Sequence, residues 1–480
     1  MLFNSLPFIL LFLPISVLTY YFLIQKRVIL GARLWLVGAS LFFYAFWNVY
    51  YLPLILLSMA FNFTLGSAMT SSEVRLNKKF MLVTGILANL VALGYFKYTD
   101  FFISNVNSIF NTQIPLQNIA LPLAISFFTF QQIAYLVDCY KGLIKNYDVI
   151  SYALFVTFFP QLIAGPIVAH YEMIPQFMKI SNLAKKYKNI YLGLVIFLIG
   201  LFKKIVIADT YAQFATIGFD QLQSLDFLGG WFSSLSYTIQ IYFDFSGYCD
   251  MAIGAALMFN IELPINFNSP YKALNIKDFW RRWHITLSRF LRDYLYIPLG
   301  GNRKGEIRSY ANVFTVFLLG GLWHGSAWTF VIWGALHGLA NIIHRLWEKT
   351  GVKLNKFIAW FITFNFINIT WVFFRAQSFA DARKVIVAMF STPTLLEEKW
   401  WRIKYYLTDF NISSNNFYAL ILIIIACVIL PNSIQILKKV SVIKDKKIIS
   451  LSGIVLALIT FALLAKIVII PYSEFIYFNF

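Results

Sequence analysis

Long apolar runs dominate the chain, and short polar or basic stretches separate them. A helix needs about 20 mostly apolar residues to cross a bilayer. We expect spanning helices over eleven runs, at residues 5–24, 34–48, 52–69, 80–96, 117–137, 190–208, 229–258, 311–333, 357–374, 417–433 and 449–470. The pattern therefore predicts an all-α polytopic membrane protein with roughly 11 transmembrane helices. A further apolar stretch, 150–168, contains two prolines and a glycine, which predicts a broken or re-entrant element.

Basic residues gather in alternate loops, and this sets the expected orientation. The early basic loops carry Lys26, Arg27, Arg33, Arg75, Lys78, Lys79, Lys185, Lys186 and Lys188. Since short cytoplasmic loops are enriched in Lys and Arg, we expect these loops in the cytoplasm and the N-terminus outside. The later basic loop at 444–447 follows the same rule only if the stretch 311–345 crosses twice, and we favour that interpretation.

Residues 278–296, DFWRRWHITLSRFLRDYLY, alternate with a helical period. At 3.6 residues per turn, one face carries Trp280, Trp283, His284, Leu287, Leu291, Tyr294 and Leu295. The opposite face carries Asp278, Arg281, Arg282, Arg289, Arg292 and Asp293, and Ile285 is the exception. The pattern predicts an amphipathic helix at the cytoplasmic membrane surface. His284 on its apolar face is a candidate functional residue or a satisfied core histidine.

A second histidine, His324, falls in the middle of the run 311–333, within GGLWHGSAW. Ionisable residues at membrane depth are costly and by default indicate function. Gly320, Gly321 and Gly325 allow another backbone or a ligand to approach closely. Histidine can accept a proton from a hydroxyl near neutral pH. The alternative is a histidine that packs between helices and is hydrogen-bonded to a neighbour.

Four charged residues interrupt other apolar runs. Asp244 and Asp250 lie within YFDFSGYCDMAIG, and a structural role, pairing with a basic group or a backbone amide, is at least as plausible as catalysis. Lys203 and Lys204 lie within IGLFKKIVIAD, where we expect them to extend to the membrane interface. A contact with a phosphate is the alternative for the two lysines.

Composition narrows the class of protein. Hydrophobic residues make up 59% of the 480 residues and charged residues only 13%, which suits one membrane domain over 1–480. The net charge of +19 is spread between apolar runs, so positive loops explain it better than nucleic-acid binding. The three cysteines have no metal-ligand spacing, and we expect no metal site. The ATP-binding, dinucleotide-binding, zinc-protease and serine-hydrolase motifs are absent from the sequence.

Several stretches in a fixed order resemble the membrane-bound O-acyltransferase family, in its bacterial branch of alginate and peptidoglycan O-acetyltransferases. They span residues 121–330 and are LPLAISFFTFQQIAYLVDCYKG, FFPQLIAGPIV, GLFKKIVIAD, YFDFSGYCDMAIGAALMFNIELPINFNSPY, FWRRWHITLSRFLRDYLYIPLGGNRKG and GGLWHGSAWTF. The resemblance implies many helices around a central funnel in the bacterial cytoplasmic (inner) membrane. It also implies that His324 and His284 are the two active-site histidines.

The resemblance further implies the reaction partners. The acyl donor would be cytoplasmic acetyl-CoA or a carrier thioester, used as a substrate with no bound cofactor. The acceptor would be an exported polysaccharide, reached with a periplasmic or extracellular partner of the SGNH-type acetyltransferase or esterase-like kind. We expect His324 to act as base or acyl carrier and His284 to orient the donor or stabilise the oxyanion. Arg281, Arg282, Arg303 and Lys304 would steer the anionic donor.

Three other functions remain open from the sequence. D-alanyl transfer to teichoic acid would use a similar histidine pair with a different donor. A transporter or flippase for a lipid-linked sugar would also need many spans, although we find no internal repeat. A non-catalytic scaffold that recruits an extracytoplasmic esterase is the third alternative.

Overall fold

The structure is a computed structural model, and it describes residues 1–72, 77–144, 148–391, 414–443, 445–469 and 475–476. Every regular element in these ranges is helical, which confirms the all-α prediction. The helices are α1 (Pro7–Gln25), α2 (Ile29–Ala45), α3 (Leu52–Thr70), α4 (Lys78–Phe110), α5 (Ile125–Tyr140), α6 (Val149–Thr157), α7 (Phe159–Leu162), α8 (His170–Met178), α9 (Tyr187–Gln221), α10 (Phe227–Met258), α11 (Ile276–Arg282), α12 (Ile285–Leu291), α13 (Glu306–His324), α14 (Trp328–Thr350), α15 (Lys356–Arg375), α16 (Phe379–Met389), α17 (Ser414–Ile429), α18 (Ser433–Ser441) and α19 (Lys446–Ile469).

Six helices among the described residues are long and apolar enough to cross a membrane, and the bent pair α17–α18 makes a seventh if it counts as one span. This is fewer than the eleven predicted spans. Segments 34–48 and 117–137 become helices of 17 and 16 residues. Segment 229–258 lies in the long but more polar α10, and 311–333 is divided between two helices.

Asparagine and aspartate side chains define where several helices begin. The Asn77 side chain accepts hydrogen bonds from the first backbone amides of α4, and Asn355 does the same for α15. Asp226 caps α10 through the amide of Gly229, at 2.6 Å. Such side chains supply acceptors for amides that have no partner inside the helix. Polar residues at the ends of apolar runs therefore fix the helix boundaries.

α10 forms the centre of the molecule, and α9 packs along it through paired glycines. A Cβ at Gly193 would lie 2.6 Å from the carbonyl O of Gly254, and one at Gly200 would lie 2.5 Å from that of Gly247. The two contacts are seven residues apart on both helices. Small residues at such positions let helix backbones approach closely in membrane proteins. The α9–α10 pair is therefore a rigid support for its neighbours.

Three predicted segments differ from the structure. Residues 111–124 are not helical, so the predicted span 117–137 begins only at Ile125. The predicted amphipathic helix 278–296 breaks at Trp283–His284 into α11 and α12, because His284 adopts a left-handed conformation with φ of 43°. The stretch 311–345 forms two helices joined by residues 325–327.

The interrupted stretch 150–168 is broken, as predicted: α6 and α7 are followed by non-helical backbone up to α8. Whether 311–345 crosses the membrane twice, and on which side the N-terminus lies, stay predictions. Arg75 and Lys444, which entered the orientation prediction, lie outside the described residues.

Candidate active site

His324 is the last residue of α13, not the middle of a span. The helix ends there because Gly325 is extended, with φ of −162° and ψ of 153°, and the chain then turns back into α14. α13 and α14 pack tightly at Gly321, where a Cβ would lie 2.3 Å from the carbonyl O of Phe330. The glycine predicted to admit a close backbone therefore does so, and it fixes the turn that carries His324.

Aromatic rings enclose the His324 imidazole. The ring centroids of Trp323, Trp333 and Phe374 lie 5.0, 5.2 and 5.1 Å from that of His324. His324 is 4% exposed, so bulk water does not surround the imidazole. A buried imidazole in an apolar wall suits a proton transfer from which water is excluded.

His284 is fully buried at the break between α11 and α12. Its Nδ1 lies 3.1 Å from Oδ1 of Asn266, and the same Oδ1 accepts the backbone amide of Thr286 at 3.2 Å. Because a backbone N–H can only donate, this contact identifies the Asn266 atom as the acceptor oxygen. Nδ1 of His284 therefore carries the proton and donates it. Nε2 of the neutral ring is left as an acceptor, and it has no hydrogen-bond partner within the described residues.

The two histidines belong to one cluster. The side chains of His284, Lys97 and His337 all lie close enough to the His324 imidazole to interact with it electrostatically. Three indole rings lie in a row between the two histidines. The ring centroids of Trp333 and Trp371 are 5.7 Å apart, and those of Trp371 and Trp283 are 4.9 Å apart. The structure thus brings together the two predicted active-site histidines, which are 40 residues apart in sequence.

A cavity of about 800 Å³ lies beside the His324 turn. Gly325 and Phe374 form part of its wall, so His324 lies directly behind this wall. Gln377 and Asp220 at its border are exposed, and the cavity is therefore open to the outside of the molecule. Asp220 forms a two-pronged ion pair with Arg375 at the same border. The cavity has room for part of a polar substrate next to the turn that carries His324.

The cavity lies far from the basic ends of four helices. Basic residues stand at or just before the starts of α4, α9, α13 and α15: Lys78, Lys79, Lys185, Lys186, Arg303, Lys304, Lys353 and Lys356. All four helices reach the cavity at or toward their other ends. The 19 residues of α13 alone rise by about 28 Å, which is close to the thickness of a bilayer core.

The four predicted donor-binding residues differ in exposure and in pairing. Arg281, Arg303 and Lys304 are exposed, and no ion pair joins them to a carboxylate within the described residues. Arg282 is half-buried and bonds to Asp278 at 2.9 Å. The three exposed groups are therefore available to an anion, whereas Arg282 is largely engaged.

Arg289 of the same segment is also engaged. It forms a two-pronged pair with Glu172, with distances of 2.5 and 2.7 Å. Burial acts to lower the pKa of the Arg289 guanidinium, but the Glu172 carboxylate raises it overall. This pair joins α12 to α8 and leaves little of the guanidinium for a ligand.

The charged residues of α9 and α10 pair with each other. Lys203 contacts Asp250 at 2.6 Å, and Lys204 contacts Asp244 at 2.7 Å and Asp209 at 2.7 Å. The expected extension of the lysines to the membrane interface is wrong for Lys204, which is 3% exposed, because two carboxylates compensate its charge inside the protein. Asp244 also accepts the amide of Ile476 at 2.8 Å. These contacts favour the structural role over a phosphate contact.

Sequence reasoning missed two residues of the site. Asn266 orients His284, but an asparagine in a loop carries no periodic signal. Lys97 contacts the carbonyl oxygens of Trp323 and His324 at 2.6 and 3.3 Å. The predicted span 80–96 ends one residue before Lys97. α4 in fact continues to Phe110. A longer predicted helix would have placed Lys97 inside an apolar segment, and a lysine there would have marked it as a candidate functional residue.

Comparison with known proteins gives a consistent family. The model of MBOAT, the membrane-bound O-acyltransferase family, matches residues 116–380. The chain is 54% identical over 419 residues to the "Peptidoglycan O-acetyltransferase" of Helicobacter pylori, covering 81% of this chain and 80% of the relative. It is 41% identical over 401 residues to the "Probable alginate O-acetylase AlgI" of Pseudomonas aeruginosa, covering 82% and 76%.

A more distant relative is the "Teichoic acid D-alanyltransferase" of Bacillus subtilis, 28% identical over 281 residues, which covers 55% of this chain and 71% of the relative. All three relatives are named as acyl-transferring enzymes, which counts against the transporter and scaffold alternatives. The histidine cluster, the helical architecture and these similarities agree: the chain belongs to the membrane-bound O-acyltransferase family and is a multi-pass membrane O-acyltransferase.

Proposed function

We propose that this enzyme moves acetyl groups from cytoplasmic acetyl-CoA toward hydroxyl groups of an exported cell-surface polysaccharide. The observation that carries the proposal is the placement of His324 behind the wall of an open cavity, in one cluster with His284 and far from the basic helix ends. Two relatives are named for O-acetylation, of peptidoglycan and of alginate. An acceptor of that class, peptidoglycan or an alginate-like polymer, is therefore the first choice for this chain.

In the proposed reaction, His324 acts as the general base. The acceptor hydroxyl oxygen attacks the thioester carbonyl carbon, so that the C–O ester bond forms and the C–S bond breaks. His324 takes the hydroxyl proton and passes it to the departing coenzyme A thiolate. A thioester is already activated, so proton transfer and exclusion of water are the main tasks of the protein. Transient transfer of the acetyl group to His324 itself is a variant of the same route.

We assign His284 to substrate orientation. Its Nδ1 proton is held by Asn266, so the neutral ring offers only the Nε2 lone pair. That atom can accept a hydrogen bond from an N–H or O–H group of a substrate. An oxyanion needs a hydrogen-bond donor, so the neutral ring in this state does not fit the alternative role of oxyanion stabilisation.

The donor and the acceptor approach from opposite sides in this proposal. The exposed charges of Arg281, Arg303 and Lys304 attract the anionic coenzyme A from the cytoplasmic side of the bacterial inner membrane. The cavity beside the His324 turn faces outward and receives the hydroxyl-bearing group that first takes the acetyl group from this enzyme. An extracytoplasmic partner of the SGNH-type acetyltransferase or esterase-like kind would relay the acetyl group to the polymer, since the long chain of a polysaccharide does not fit into about 800 Å³.

The test is the base-labile acetate on the cell-envelope polysaccharide. A deletion strain is complemented with wild-type protein or with His324→Ala, at equal protein levels in the membrane. We expect acetate to return only with the wild-type protein. If His324→Ala restores acetate to the wild-type level, the assignment of His324 is wrong.

D-alanyl transfer is the second candidate, because the Bacillus subtilis relative is named for it. The same strains distinguish the two reactions. Base-labile D-alanine that depends on the protein, with no difference in acetate, would replace acetyl-CoA by a D-alanyl carrier as donor.

A further inference from the structure

The end of α13 poses a physical problem that a neighbouring helix solves. The last four carbonyl groups of a helix have no partner within that helix. Many helices solve this with a left-handed residue after the last turn, but Gly325 is extended and closes no such turn. The carbonyls next to His324 therefore need partners from elsewhere in the fold.

Two consecutive residues of α4 supply those partners. The hydroxyl of Tyr98 donates to the carbonyl of Leu322 at 2.8 Å. The ammonium of Lys97 donates to the carbonyl of Trp323 at 2.6 Å and to that of His324 at 3.3 Å. Three successive carbonyls at the end of α13 are thus bonded by side chains that lie more than 220 residues earlier in the sequence.

The third proton of the Lys97 ammonium also has an acceptor, Oγ of Ser126 at 3.3 Å. An ammonium has three donors and no acceptor, so these contacts use its full capacity. Although Lys97 also borders the cavity, its three donors are directed to acceptors of the protein. This geometry fits a residue that positions the backbone of its neighbours.

The charge of Lys97 is compensated in an unusual way. Lys97 is 8% exposed, and no carboxylate forms an ion pair with it within the described residues. Asp100, one turn later on α4, instead accepts the amides of Gln117 and Asn118 at 2.7 and 2.9 Å. The face of the Trp323 ring, whose centroid lies 5.8 Å from Nζ of Lys97, and the negative end of the α13 dipole compensate this charge instead. Since an ammonium at this depth is costly, its retention points to a role in function.

We propose that Lys97 and Tyr98 form a clamp that holds the end of α13 and so positions the His324 imidazole for proton transfer. The clamp rests on the proposed role of His324 and deepens it. Lys97 is a positioning residue: it fixes the backbone on which His324 stands, between the rings of Trp323 and Phe374. Loss of the clamp would shift the imidazole without removing it.

The test compares Lys97→Met, Lys97→Arg and Tyr98→Phe with the wild-type protein. The measured quantities are the initial rate at which envelope acetate accumulates after induction, the Kd of the purified protein for acetyl-CoA, and the Tm. For Lys97→Met we expect a rate about 100-fold lower, because a misplacement of about 1 Å has this effect on well-positioned groups. The Kd should stay at its wild-type value, because Lys97 does not hold the donor. The Tm should fall by only a few degrees, since the carbonyls of Trp323 and His324 lose a buried donor. The rate is therefore measured well below the Tm, where a loss of stability alone would not lower it.

The other two variants separate charge from shape. Lys97→Arg keeps the charge and the donors and should recover at least a tenth of the wild-type rate. Tyr98→Phe removes one hydrogen bond and should lower the rate by about 5- to 10-fold. Lys353→Met, in an exposed loop, is the matched control and should keep the wild-type rate. If Lys97→Met does not accumulate in membranes, Tyr98→Phe decides alone.

The outcomes separate the clamp from the proposed function. Wild-type acetylation by Lys97→Met or by Tyr98→Phe, with His324→Ala inactive, overturns the clamp and leaves the role of His324 intact. A Lys97→Met protein that loses acetyl-CoA binding as well as rate also overturns it, since positioning of His324 does not require that loss. Wild-type acetylation by His324→Ala overturns the proposed role of His324 first.

Discussion

At the scale of single residues, one amide oxygen fixes which nitrogen of His284 carries the proton and how its ring is oriented. Oδ1 of Asn266 accepts from Nδ1 of His284 and from both the amide and the hydroxyl of Thr286. The hydroxyl of Thr286 in turn accepts the amide of Ile167 at 2.9 Å. The ring is therefore fixed by a chain of buried hydrogen bonds rather than by shape alone.

We expect Asn266→Leu to lower acetyl transfer by about 10- to 100-fold, because the Nδ1 proton of His284 loses its buried acceptor. The measurement is the rate of envelope acetylation at equal protein level. Asn365→Leu, on the half-buried face of α15, should keep the wild-type rate. An Asn266→Leu enzyme as fast as the control would show that the orientation of His284 is unimportant.

Phe374 separates the His324 imidazole from the cavity, with its ring 5.1 Å from the imidazole centroid. Phe374→Ala should admit water to the imidazole and raise hydrolysis of acetyl-CoA without acceptor by about 10-fold, as expected when a site loses its exclusion of water. Release of coenzyme A by the purified protein measures this. Phe361→Ala, 53% exposed on the same helix, should leave hydrolysis unchanged. Equal hydrolysis by the two variants would contradict the role of the ring.

Sequence alone selected both histidines as candidates, but it did not point to the groups that hold them in the structure. A histidine in an apolar run is conspicuous, because its burial is costly unless it serves a purpose. Asn266 and Lys97 act across distances of 18 and 226 residues in the chain. Such contacts are set by the packing of helices, which hydropathy along one chain does not encode.

At the scale of helices, the close contact of α9 and α10 depends on the absence of side chains. We expect Gly200→Ala to lower the free energy of unfolding by about 1–3 kcal/mol, because its Cβ would meet the carbonyl O of Gly247 at 2.5 Å and backbone cannot move aside. Gly94→Ala on α4 meets open space and should be neutral or stabilising. Thermal unfolding in detergent compares them. Equal Tm values for both variants would refute the close contact.

The ion pairs between the same two helices provide a second test. Lys204→Met leaves the buried carboxylates of Asp209 and Asp244 without this ammonium, which should destabilise the protein by about 3–5 kcal/mol. Lys277→Met breaks an exposed pair with Glu348 and should cost at most about 1 kcal/mol. Membrane yield and Tm measure both. A Lys204→Met protein as stable as Lys277→Met would mean that the buried lysine contributes nothing.

Hydrophobic periodicity predicted which segments are helical better than it predicted where helices break. The pattern of 278–296 stays amphipathic across Trp283–His284, because a single left-handed residue barely disturbs the order of apolar positions. The run 117–137 is apolar from Ile119 onward, yet residues 111–124 are not helical, and Pro122 disfavours helix at the residue before it. Apolar composition indicates burial, but not the conformation of each buried residue.

At the scale of the whole molecule, the basic helix starts and the cavity define two sides. We predict that Gln377→Cys, at the cavity border, reacts with a membrane-impermeant maleimide in intact cells. Lys353→Cys, in the loop between α14 and α15, should react only after the membrane is permeabilised, because positive loops remain in the cytoplasm. The reverse pattern of labelling would invert the predicted orientation. The single domain over residues 1–480 stays a prediction as well.

The position of Lys97 has a consequence for how the enzyme can be divided. The family match begins at residue 116, so a fragment trimmed to residues 116–380 would contain both histidines yet omit Lys97 and Tyr98. Ser433, bonded to Asp250 at 2.9 Å, would be lost at the other end. The region matched by the family model is thus smaller than the unit that holds the two histidines in place, and we expect the fragment to be inactive. Exchanging residues 116–380 between relatives would move both histidines without Lys97, Tyr98 and Ser433, which lie outside that region.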